Sequence, residues 1–92
     1  MEWLEIIKVR KGGDGDRAID LANLKRLVDD LEAPTLVSAR VYANTSITSD
    51  LVIILTWCRE ISSPWGSELA RRFTQELTPC GLVDYSAWSG MD

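Results

Sequence analysis

Glu5 is the residue of this chain best placed to do chemistry. It lies in WLEIIKVR (Trp3–Arg10), a β-rich stretch in which Trp3, Glu5, Ile7 and Val9 alternate onto one face and Leu4 and Ile6 onto the other. A carboxylate among apolar side chains is the kind of group that serves as a general base. The same placement also suits a structural ion pair, or a strand start that meets solvent. Trp57, Trp65 and Trp88 are candidates for an aromatic pocket wall around that base, although the same rings equally fit core or subunit packing. Arg40, Tyr42 and Asn44 alternate along TLVSARVYAN. Such a row can bind an anionic or phenolic ligand, or it can be a solvated row that protects an edge strand.

Composition narrows the chemistry further. The chain has no histidine, which removes Ser-His and Cys-His nucleophile pairs, His-ligated haem and every His-based metal site. Cys58 and Cys80 are too few for a zinc pattern. They bracket a helical segment whose ends stand roughly 20 Å apart, so two free thiols are expected. GGDGD (Gly12–Asp16) lacks the spacing and distal glutamate of a calcium loop. No metal or other cofactor is therefore expected. A net charge of -4 weighs against a nucleic-acid partner, whose phosphates are held by clustered Lys and Arg. The longest apolar run falls short of the roughly 20 residues of a membrane span. MEWLEIIKVR lacks the basic start of a secretion signal. A cytoplasmic setting is the default expectation.

The elements that must position these side chains follow from periodicity. KGGDGD can only be a loop. Arg17–Glu32 then places Leu21, Leu24, Val28 and Leu31 at helical spacing, with Leu27 widening the stripe, Asp16 as N-cap and Pro34 beyond the end. Thr35–Asn44 reads as a strand and TSITS as a turn. Asp50–Cys58 reads as a strand with almost no polar side. Ser63 as N-cap and Pro64 at the first turn predict a second helix, with Trp65, Leu69, Phe73 and Leu77 at four-residue steps and Ala70 beside them. Leu82–Trp88 is the last strand.

The order β-α-β-β-α-β over residues 1–92 predicts one α+β domain of ferredoxin-like type. Its four-stranded antiparallel sheet carries two helices on one face, with the first and third strands central. Leu51, Ile53, Leu55 and Trp57 point one way; Val52, Ile54, Thr56 and Cys58 point the other. Two helices cover only one face. Leu4, Ile6, Val52 and Ile54 are thus left as an apolar patch of the sort that marks an interface, and a homodimer packed sheet to sheet is expected.

With element order, length and a tryptophan closing the third strand (ILTWCREISSPW), the chain resembles the dimeric α/β-barrel superfamily, in particular its antibiotic-biosynthesis-monooxygenase-like domains. The resemblance implies a pocket between helices and sheet. Some members of that family oxygenate polyphenols without metal or flavin. Others degrade haem with an Asn on strand one, a Trp ending strand three and a His on helix two. Trp57 matches the Trp, Glu5 stands where the Asn would be, and Ser67 lies near the His position. Two departures in three count against haem oxygenation. RNA-recognition domains need stacking aromatics and basic residues on the central strands, where DLVIILTWC offers aliphatics. Heavy-metal-binding domains carry CxxC where this chain has KGGDGD.

The functional expectation is a homodimer that binds a small apolar or aromatic molecule. One form of it is a cofactor-independent monooxygenase using Glu5. The alternative is a non-catalytic ligand-binding or assembly protein of the same fold.

Overall fold

Hydrophobic alternation decides the sheet. In the computed structural model, which describes residues 2–10, 20–47, 50–60 and 66–91, four strands form: β1 (Trp3–Arg10), β2 (Leu36–Ala43), β3 (Leu51–Trp57) and β4 (Leu82–Ser89). They make one antiparallel sheet in the order β2-β3-β1-β4. This is the ferredoxin-like βαββαβ arrangement, with the two strands that are apolar on both faces in the middle, as predicted. A central strand loses water from both sides, so both of its faces must be compatible with burial.

One face of the sheet holds the core. Ile7 and Val9 of β1 and Leu51, Ile53, Leu55 and Trp57 of β3 pack there against Leu24 and Val28 of α1 (Leu21–Asp29) and Ala70, Phe73 and Leu77 of α2 (Glu68–Leu77). Burying each large aliphatic side chain contributes about 1.5–3 kcal/mol, so this face supplies the main apolar stabilisation of the domain. The opposite face bears Leu4, Ile6, Val52 and Ile54, all half-buried within the single chain.

The helices are shorter than their apolar periodicity predicts. Asp20 is the N-cap of α1, its carboxylate accepting from the Asn23 backbone N–H at 3.1 Å. The expected cap, Asp16, lies outside the described residues. The helix stops at Asp29 with Asp30 as its C-cap, and Pro34, which disfavours helical geometry at Ala33, keeps the chain from resuming it before β2. Leu27 is exposed and does not widen the buried stripe; it sits about 100° round the helix from Val28. The second helix starts at Glu68 behind an N-cap at Ser67, whose hydroxyl accepts from the Ala70 N–H. Ser63, Pro64 and Trp65 lie outside the described residues. A single 3-10 turn, Thr78–Cys80, leads from α2 into β4.

Candidate functional site

Glu5 is fully buried, at 0% exposure, on the helix-covered face of β1. Antiparallel register places it beside Leu55 on β3 and Ala87 on β4, one step from Trp57 and Tyr85. The start of α2 closes over it. Among the described residues four donors converge on its two oxygens. Oε1 accepts from Trp57 Nε1 at 2.7 Å and from Ser67 Oγ at 2.6 Å. Oε2 accepts from the Ser67 backbone N–H at 2.7 Å and from the Tyr85 hydroxyl at 2.6 Å. None of these donors is charged. The carboxyl group is held by directed hydrogen bonds, one of them from the N-terminal end of a helix.

Gly66 makes this approach feasible. Its φ is +89°, and a Cβ there would stand 2.6 Å from the Tyr85 hydroxyl oxygen and 2.9 Å from Glu5 Oε2. Only a residue without a side chain lets the loop pass so close to the carboxylate while turning into α2. Ser67 then does two jobs. Its hydroxyl donates to Glu5 and accepts from Ala70 N–H, so the cap of α2 and the carboxylate share one side chain.

Tyr85 responds to this environment. Burial pushes its phenol well above the ordinary range, and the hydrogen bond to Glu5 and the carboxylate's charge push the same way. A proton held more tightly in the folded chain than in the unfolded one stabilises the fold below the ordinary phenol pKa of 10.0. That contribution is lost as pH rises through the higher folded value. The urea midpoint of the chain is therefore expected to fall more steeply above about pH 10 than that of Tyr85→Phe. Parallel profiles for the two proteins in that range would show that Tyr85 carries no such linkage.

The residues that sequence reading grouped as one pocket divide between the two sides of the sheet. Glu5 and Trp57 meet, as the alternation of β1 and β3 predicts. Trp88 lies on the opposite face, paired with Leu4, and is 58% exposed, with its indole N–H on Ser86 Oγ at 2.9 Å. Arg40 and Tyr42 also lie on that face, in register with Ile54 and Val52. They line a groove of about 520 Å³ between β2 and α1. Asn44 follows β2, and its side-chain oxygen accepts from Ser46 and Ile47 N–H at 2.8 and 2.9 Å, a turn-building role. A larger groove of about 680 Å³ opens at the far end of the sheet among Lys8, Arg10, Asn44, Ile47, Val52 and Leu82. Neither groove touches Glu5 or Trp57.

Sequence reading assigns Ser67 no contact with Glu5 and does not single out Tyr85. The Gly-Ser pair before a helical run marks a cap, but its distance from Glu5 in sequence hides the partnership. Cys58 and Cys80 are free, as expected from their separation. Among the described residues there is no cluster of His, Cys, Asp and Glu able to hold a metal ion. Among the described residues no helix is long and apolar enough to cross a membrane. No protein-family model, curated protein or solved structure matches the chain.

Proposed function

We propose that this chain is a non-catalytic self-associating module, built like the dimeric α/β barrels, in which two copies pack their helix-free sheet faces together. The observation that carries this reading is the distribution of apolar surface. Both helices lie on one side, and the other presents Leu4, Ile6, Val52 and Ile54 in adjacent register, flanked by exposed Tyr42 and Trp88. Four strands of this length span roughly 19 by 26 Å, so two such faces bury roughly 1,000 Å² in total, the lower bound of a specific interface. The grooves at the sheet end and beside α1 share Val52 and Tyr42 with this face, so the same packing would narrow them.

Acid–base catalysis by Glu5 stands behind this reading. A general base needs a lone pair free to meet a substrate proton, and both oxygens here already accept two hydrogen bonds. A cofactor-independent oxygenase would have to break at least one of them and open a path to a fully buried carboxylate.

Sedimentation equilibrium across a wide concentration range tests the proposal, with Ile54→Lys as the variant. Ile54 projects from the centre of the open face and is half-buried in the single chain, so a lysine there leaves the core intact. The expected result is a wild-type assembly whose mass Ile54→Lys halves, because two-fold packing buries two unpaired ammonium groups. A wild-type monomer at the highest concentration, or an unchanged mass in the variant, would sink the face-to-face dimer.

A further inference from the structure

The sheet has two edges, and they are not equivalent. On the β2 edge the register slips between Leu36 and Ser38, leaving Val37 bulged and 64% exposed. Arg40 adds a charge, and α1 runs alongside. Bulges, charges and flanking elements are the usual means of keeping an edge strand from pairing with another chain. The β4 edge has no bulge. It pairs with β1 without interruption from Leu82 to Ser89, and Asp84 is its only charged residue, with Lys8 beside it on β1.

The hydrogen-bond phase of β4 is fixed by its end. Gly90 N–H donates to the Glu2 carbonyl at 2.7 Å, so the even-numbered residues direct their main-chain groups to β1. The odd-numbered ones, Val83, Tyr85, Ala87 and Ser89, direct theirs outward. Among the described residues no strand takes them.

We infer that β4 is a second interface, pairing antiparallel with β4 of another copy about a two-fold axis at Tyr85. The sequence is self-complementary in that register. Tyr85 pairs with itself and Val83 with Ala87 of the partner subunit, so the outward groups meet one another as hydrogen-bonded pairs. The even positions become the close, non-hydrogen-bonded pairs. Leu82 then lies opposite Trp88 of the partner subunit, and Asp84 opposite Ser86 of the partner subunit. Leu82 and Trp88 are 62% and 58% exposed in the single chain. One operation covers both, twice, and sets the only charge against a hydroxyl and not against its own copy. A shift of register by two residues loses the Leu–Trp pairs or places Asp84 opposite itself.

Disulfide trapping tests the register. Cys58 and Cys80 are free, so both can be replaced by serine without breaking a bond. Asp84→Cys and Ser86→Cys are then carried on separate chains, mixed in equal amounts and oxidised gently. Positions 84 and 86 face each other at roughly 4.5 Å between Cα atoms, inside the range a disulfide spans. Bonds between the two variants are expected to exceed bonds within either by about tenfold, since like positions stand a diagonal step, roughly 7–8 Å, apart. Adding Ala87→Pro, which removes an outward N–H and leaves every bond to β1, is expected to abolish the cross-link. Ile54→Lys is expected to leave it, which separates this edge contact from the sheet-face dimer. No cross-linked product, a majority of same-variant bonds, or a cross-link that survives Ala87→Pro and is lost in Ile54→Lys would overturn the assignment.

Discussion

Glu5→Gln is expected to lower the stability of the fold by about 2–3 kcal/mol although it changes one atom, because it leaves a fixed donor without an acceptor. The amide nitrogen must stand where one carboxylate oxygen stood. At Oε1 it faces Trp57 Nε1, and at Oε2 it faces the Ser67 backbone N–H. The hydroxyls of Ser67 and Tyr85 can rotate and accept, but neither of those N–H groups can. Glu5→Ala is expected to be worse, at about 4 kcal/mol or more, since it strands several buried donors around a cavity. Against a total of about 5–15 kcal/mol for a domain, the alanine variant should be largely unfolded at ordinary temperature. Urea denaturation followed by tryptophan fluorescence reads both values. A glutamine variant as stable as the parent would show that the carboxylate is not the structural hub its contacts imply.

Gly66→Ala is expected to cost about 3 kcal/mol. Part comes from the backbone, because a φ of +89° disfavours any L side chain. The rest is contact. The new methyl would stand 2.6 Å from the Tyr85 hydroxyl oxygen and 2.7 Å from its ring carbon, so the ring or the loop must move and Glu5 loses a donor. The two sources can be separated by a double-mutant cycle. Tyr85→Phe removes the nearer of the two clashing atoms, so the double variant is expected to be more stable than the sum of single effects by about 0.5–3 kcal/mol. Strict additivity in thermal or urea unfolding would place the whole penalty in the backbone and detach Gly66 from the site.

The fold was legible in the sequence because every element carries its own pattern. Ile7 and Val9 against Leu4 and Ile6, and the unbroken LVIILTW, mark β1 and β3 as central strands. The burial of Glu5 was legible for the same reason: side-chain period in a strand is two, and its neighbours on that face are apolar. Its partners were harder to read. Trp57 is recoverable from antiparallel pairing of the central strands, but Ser67 and Tyr85 arrive from elements whose docking depends on loop paths that periodicity does not specify. Trp88 and Tyr42 misled for a related reason. Aromatic character says that a ring wants cover, and only strand parity says which side of the sheet provides it; here both fall on the face away from Glu5.

The pairing of the first strand with the last has a consequence for how the chain is made. Trp3 lies opposite Ser89, and the Tyr85 hydroxyl reaches Glu5 from the end of the chain. While a ribosome is still adding α2, β1 has its neighbour β3 but not β4, and Glu5 lacks one of its donors. A nascent chain at that stage would have to bury a carboxylate before its hydrogen bonds are complete, so it gains little by settling early. Completion of the fold is therefore expected to wait until β4 emerges. Chains cut short before Leu82 should be recognised by proteases as unfinished, with the buried Glu5 cluster acting as a check on completeness.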